Sequence, residues 1–140
     1  MTSPAPAVLR CVPHRAPILR VHDVVAADAA AAHVRGSEPA GPGALPWALG
    51  AIEGLAQSAA VLLAHGADGG ATTPRPGLLV AVRQFAVHAE PPAGAVIDYH
   101  VRLVRRLGAN ARIAGHAESG GVRLAAGELT LWSAAAAGAP

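Results

Sequence analysis

The chain carries two hydrophobic periods, and the switches between them mark out its elements. From Ile18 to Ala26 the residues Leu19, Val21, Asp23 and Val25 fall on one face of an extended segment, and Ala30 to Arg35 reads as a second strand. Residues 45–64 then run Leu-Pro-Trp-Ala-Leu-Gly-Ala-Ile-Glu-Gly-Leu-Ala-Gln-Ser-Ala-Ala-Val-Leu-Leu-Ala, apolar on nearly every face of a helix. Pro46 suits a first helical position, and the pattern predicts a helix from there to about His65. Ser37 to Gly43 before it and Asp68 to Pro74 after it are connections, because proline removes backbone donors and glycine permits turns that other residues resist. Period two then returns. Leu78 to His88 is rich in Val and Leu, Pro91-Pro92-Ala93-Gly94 makes a turn, and Ile97, Tyr99, Val101 and Leu103 alternate with Asp98, His100 and Arg102. Strands at Ala111–Glu118 and Val122–Trp132 flank Ser119-Gly120-Gly121, a hairpin signal. Residues 1–17 hold four prolines ahead of the first strand, and Ser133 to Pro140 reads as a frayed tail.

Two strands, one long apolar helix and four antiparallel strands describe a single α+β domain over residues 1–140, a hot-dog fold in which a curved antiparallel sheet wraps a long central helix. A helix enclosed on most sides should be apolar almost all round, as this one is. One copy leaves a sheet edge and a helix flank open, so a dimer is expected to cover them.

Composition narrows the functional classes. With 52% hydrophobic and 14% charged residues the chain is far from the disordered class, and 140 residues suffice for one core. All 11 basic residues are arginine, and against 9 acids they leave a net charge of +2, too little for a nucleic-acid binder. A lone cysteine, Cys11, excludes an intrachain disulfide framework and fits a reducing compartment. The seven histidines show no close metal-ligand pairing along the chain, so no metal is expected. The N-terminus lacks the pattern of a secretory signal, and Pro46 and Glu53 interrupt the longest apolar run, which argues against a membrane span and for the cytoplasm.

The chemistry concentrates in the helix. Glu53 and Gln57 are four apart and share a face, and a carboxylate drawn into an apolar helix calls for an explanation. Catalysis supplies one: Glu53 as acid or base in a cleft, with Gln57 orienting it or the substrate. The alternative is a glutamate turned to solvent or paired with an arginine. His14, held between Pro13 and Pro17 beside Arg15, has an imidazole suited to proton transfer, although a surface histidine in an irregular arm fits the same spacing. Gly41-Pro42-Gly43-Ala44-Leu45-Pro46 leads into the helix, where free amides suit an oxyanion or a polarised thioester carbonyl. Arg75, Arg102, Arg105 and Arg106 form a basic rim for an acidic carrier or a phosphate, or simply a solvated face.

The set Pro13-His14-Arg15-Ala16-Pro17-Ile18-Leu19, Asp23-Val24-Val25, Glu53-Gly54-Leu55-Ala56-Gln57 and Pro74-Arg75-Pro76-Gly77-Leu78-Leu79 resembles the β-hydroxyacyl-[acyl-carrier-protein] dehydratases. It is more similar still to the hot-dog dehydratases of aryl-polyene and xanthomonadin-type pigment clusters, over about residues 9–132. The resemblance implies loss of water from a β-hydroxyacyl thioester to give a trans-enoyl thioester, without metal or diffusible cofactor. It implies an acyl carrier protein as partner, and a homodimer or a heterodimer with another hot-dog subunit. Glu53 matches the family's acid. The fatty-acid branch places its histidine in a Gly-His-Phe-Pro-Gly loop 14 residues before that acid, where this chain has Pro39. His14 is therefore the candidate base, and Arg15, Gly43, Leu45, Trp47, Gln57 and Arg75 are the candidate substrate-binding residues. Two other expectations compete: a non-catalytic partner subunit of a heterodimeric dehydratase, and a hot-dog acyl thioesterase.

Overall fold

The structure, a computed structural model, describes residues 3–12, 19–39, 45–66 and 77–133. The loop at 41–43, the connection at 68–74 and the tail after Ser133 lie outside them. The elements run α1 (Pro6–Cys11), β1 (Val21–Ala27), β2 (Ala31–Ser37), α2 (Trp47–His65), β3 (Gly77–Val87), β4 (Val96–Leu107), β5 (Asn110–Ser119) and β6 (Val122–Ser133). All six strands join one antiparallel sheet in the order β1-β2-β4-β5-β6-β3. The arrangement is the hot-dog fold expected from the element order.

The core lies between α2 and one face of the sheet. Leu55 and Leu62 of the helix are buried there with Ile97 and Tyr99 of β4, Ile113 of β5 and Leu129 of β6. In β4 the inward turn of Ile97, Tyr99 and Val101 follows the predicted alternation. The β5–β6 turn is also as predicted: Ser119 pairs with Val122, and Gly120 and Gly121 both take positive φ, as a tight two-residue hairpin loop requires.

Two local expectations are corrected. The proline-rich start contains a short helix, α1, with Pro6 in its first turn and Val8, Cys11 and Val12 buried against the core. It stops at Val12, which is extended at φ −114° and ψ 120°, because the residue before a proline is pushed out of the helical region. In β1 the face does not run through Leu19, Val21, Asp23 and Val25. Irregularities between Val21 and Asp23 and between Val24 and Ala26 reset the alternation, so that Val24 packs on the core while Val25 is exposed.

Pro46 precedes the helix with extended ψ, and Trp47 is the first helical residue. By length and hydropathy α2 passes for a membrane span, yet it packs as the core helix of the sheet. One stripe of it stays uncovered: Leu49 is 54% exposed, and Ile52, Glu53, Ala56, Ala60 and Leu63 are only half-buried. The outermost strand, β3, pairs on one side only and exposes Leu78, Leu79, Val80 and Val82, which fall on both of its faces. An apolar stripe on the helix and a bare apolar edge strand are the open surfaces expected of a single copy.

Candidate functional site

Glu53 lies on the uncovered stripe of α2, under two turns from the helix start. The helix carries the two side chains as predicted, but not to the same depth. Gln57 is fully buried, whereas Glu53 is half-exposed on the flank, which corrects the expectation of an acid sunk in the helix interior. The two meet directly, Gln57 Nε2 donating to Glu53 Oε1 at 3.0 Å. Gln57 Oε1 accepts the backbone N–H of Arg20 at 2.8 Å. That bond fixes the amide's orientation, because an N–H can only donate and must meet the oxygen, so the Gln57 NH2 is left to face the carboxylate.

Arg20 anchors the arrangement and was not picked out from the sequence. Its guanidinium is buried and paired with Glu38, another residue the sequence reading assigned no role. Glu38 is pinned in turn through its backbone, its N–H donating to Ala95 at 2.9 Å and its carbonyl accepting from Gly94 at 2.9 Å. A chain of fixed contacts thus runs Glu38–Arg20–Gln57–Glu53 from the end of β2 to the open flank of the helix. A buried ion pair of this kind is a modest source of stability, but it holds direction well, since moving either partner strands the other.

Tyr99 sits beside this chain on β4. Burial pushes its hydroxyl up to about 12, the neighbouring Arg20 pulling the other way. Its Oη, Arg20 Nε and Trp47 Nε1 are buried without a hydrogen-bond partner of proper geometry among the described residues. Arg20 and Tyr99 reach these places because α2 has no side chain at Gly50 and Gly54. A Cβ at Gly50 would stand 2.6 Å from Arg20 Cζ, and one at Gly54 would stand 2.5 Å from Tyr99 Cε1. The sequence did hold a signal here: two glycines four apart inside a helix each cost about 1 kcal/mol against alanine, which marks a close approach.

Of the remaining candidates, Trp47 is buried at the helix start and Leu45 is exposed just before it. His14, Arg15, Gly43 and Arg75 lie outside the described residues. Arg102, Arg105 and Arg106 of the basic rim are exposed on β4. Cys11 is buried, and burial raises its thiol pKa, which makes it a poor nucleophile.

Several solved structures share this fold. The dehydratase heterocomplex ApeI:P from Xenorhabdus doucetiae superposes with a TM-score of 0.77 at 22% identity, over 90% of this chain and 90% of that one. A sigma28-regulated virulence protein of Campylobacter jejuni gives 0.68 at 10% identity, over 91% and 86%. A hypothetical thioesterase with coenzyme A from Streptococcus pneumoniae gives 0.58 at 11%, over 79% and 84%. A comparison with curated protein sequences finds no match. The family described as ApeP-like, ApeP dehydratase, matches residues 6–138, nearly the whole sequence, and the chain belongs to that dehydratase family.

Proposed function

We propose that this chain is a subunit of a dehydratase acting on a β-hydroxyacyl thioester carried by an acyl carrier protein, in polyene-type biosynthesis, and that a second hot-dog subunit covers its open flank. One observation carries the reading: the only acid on the uncovered stripe of α2, Glu53, is held in a set direction by a fully buried glutamine. Membership of a dehydratase family supports it, as does the heterocomplex described for the Xenorhabdus relative.

In this reaction a base removes the Cα proton, the electron pair forms the Cα–Cβ double bond, and the Cβ hydroxyl leaves as water after taking a proton from an acid. Gln57 commits Glu53 Oε1 as an acceptor, so a proton carried by Glu53 resides on Oε2 and is delivered from there to the leaving hydroxyl. The stripe residues Leu49, Ile52 and Ala56 offer an apolar wall for an acyl chain beside it. His14 supplies the base in this reading, with Arg15, Gly43, Leu45, Trp47 and Arg75 around the thioester. Neither proton transfer needs a metal or diffusible cofactor.

The test is incubation with β-hydroxyacyl carrier protein and detection of the enoyl product by mass, with this chain alone and with a second hot-dog subunit. Glu53→Gln is expected to lower turnover by about 10²–10⁴-fold, the usual contribution of a positioned acid. Full activity in that variant would remove Glu53 from the chemistry, and full activity in His14→Ala would reassign the base. The absence of a histidine at Pro39 favours a second reading, a non-catalytic partner. Activity that needs the second subunit and survives Glu53→Gln would establish it. Release of free thiol without enoyl product would instead indicate a thioesterase.

A further inference from the structure

The face of the sheet turned away from α2 carries a lattice of histidines and carboxylates that dehydration does not use. Antiparallel register sets His33, His100 and His116 side by side on β2, β4 and β5. The next rung sets Arg35, Asp98 and Glu118 beside one another. Their neighbours in sequence Tyr99, Val101 and Ala117 are buried against the helix, so these side chains point outward. The imidazoles stack, with ring centroids 4.2 Å apart for His33 and His100 and 4.9 Å for His100 and His116. All three line a groove of about 840 Å³ that also touches Arg102, Arg123 and Glu128.

Asp98 and Glu118 stand directly opposite each other, an arrangement that is repulsive unless something neutralises it. Asp98 has its own cation: its Oδ1 accepts from Arg35 Nε at 3.0 Å and lies 2.7 Å from His33 Nε2. Arg123 stands opposite Glu118 on β6, but no ion pair between Glu118 and an arginine forms among the described residues. Two imidazole nitrogens face its two oxygens instead, His100 Nε2 at 3.1 Å from Oε1 and His116 Nε2 at 3.7 Å from Oε2.

We propose that His100, His116 and Glu118 form a binding site for a divalent transition-metal ion of the zinc class on the outer face of the sheet. The three ligand atoms lie within 4.8 Å of one another. Around tetrahedral zinc, with bonds of about 2.1 Å, neighbouring ligands stand roughly 3.4 Å apart. Each imidazole faces its own oxygen, His100 Nε2 at 3.1 Å from Oε1 and His116 Nε2 at 3.7 Å from Oε2, so rotation of the half-buried carboxylate is what brings one oxygen to that spacing from both. Closing the remaining histidine–histidine edge takes ring rotation of two half-exposed side chains, which the core does not oppose. The donor set, two imidazoles and one carboxylate, suits zinc, nickel or copper rather than calcium or magnesium. His33, tied to Asp98, stacks on the ring of His100 and packs one side of the site. The bound ion clips β4 to β5 and leaves its fourth position to water. Histidine spacing along the chain showed no such pairing, because the ligands meet only through strand register. The inference stands apart from the proposed dehydration, since Glu53 lies on the other side of the sheet.

The test uses the full chain after chelator treatment, titrated with zinc chloride by calorimetry and with cobalt as a visible-spectrum probe. One saturating equivalent per chain is expected, with a rise in melting temperature and the ligand-field bands of four-coordinate cobalt. His100→Gln, His116→Gln and Glu118→Gln should each weaken binding by roughly tenfold or more, at least the loss that removing an outer-sphere partner brings. His22→Gln and His65→Gln should bind as the parent does. Melting and circular dichroism without metal establish that each variant folds; should a histidine variant fail, Glu118→Gln decides alone. The absence of saturable binding at one equivalent, or binding that survives Glu118→Gln unchanged, overturns the site.

Discussion

The phenol ring of Tyr99 rests on the bare backbone of Gly54, one residue along the helix from Glu53. A Cβ at Gly54 would come within 2.5 Å of the ring. This contact brings β4 against α2 where the candidate acid sits, and it explains why a helix in this position carries glycine despite the cost.

Gly54→Ala therefore tests the packing by its sign. Helix propensity alone would make the variant more stable by about 1 kcal/mol. Overpacking against a fully buried ring should reverse that and destabilise by about 1–3 kcal/mol, read from the midpoint of urea unfolding. Tyr99→Leu in the Gly54→Ala background should recover part of the loss, since the obstacle is the ring.

Tyr99 also sets an alkaline limit. An unfolded tyrosine ionises near pH 10, and burial pushes this one up to about 12. The folded state thus favours the neutral phenol. That contribution, on the order of 2–3 kcal/mol, is complete below about pH 10 and is lost as pH rises through about 12. Tyr99→Phe should flatten stability over that range. Because this is the only tyrosine in the chain, its ultraviolet titration reads the group directly.

The Arg20–Glu38 pair is buried, with side-chain exposures of 3% and 10%. Glu38→Leu should cost about 3–5 kcal/mol by stranding the guanidinium. Adding Arg20→Met should restore most of that stability in the double variant. The bond that orients Gln57 comes from the backbone N–H of residue 20 and survives in the double variant, so in the dehydratase reading its turnover recovers together with its fold. Stability and turnover measured on the same preparations check this, since turnover that stays low in a refolded double variant would give the guanidinium itself a part in positioning Glu53.

Gln57→Leu removes the group that directs Glu53 and leaves the buried Arg20 N–H without its acceptor. A stability loss of about 1–3 kcal/mol is expected. Under the dehydratase reading kcat should fall by roughly tenfold or more, less than in Glu53→Gln, with a smaller change in KM, because orientation of the acid and not chain binding is disturbed. Unchanged kcat would mean that Gln57 serves packing only.

Much of this was legible along the chain. The period-two runs from Ile97 to Leu103 and Ala111 to Trp132 declare strands because each has one face for the core and one for water. The apolar stretch from Trp47 to His65 declares an enclosed helix, and the i, i+4 spacing of Glu53 and Gln57 sets them on one face of it, where the structure finds them hydrogen-bonded. Helix α1 was masked by the four prolines around it, since Pro6 starts a turn that Pro13 soon ends. The inward face of β1 was misread because a bulge shifts alternation without leaving a mark in the local pattern.

The sequence by itself determined the six strands and the long helix, the hot-dog order and the acid on that helix, since periodicity and short spacings are local properties of a chain. Tertiary structure alone decided what surrounds them. Arg20, Glu38, Gln57 and Tyr99 converge from four elements, and the buried arginine could be recognised only once Gly50 was seen to admit it. His33, His100 and His116 are scattered in sequence and adjacent in space, because cross-strand register sums every turn and bulge between the strands. Contacts of that range depend on the whole path of the chain, and no short stretch of residues encodes them.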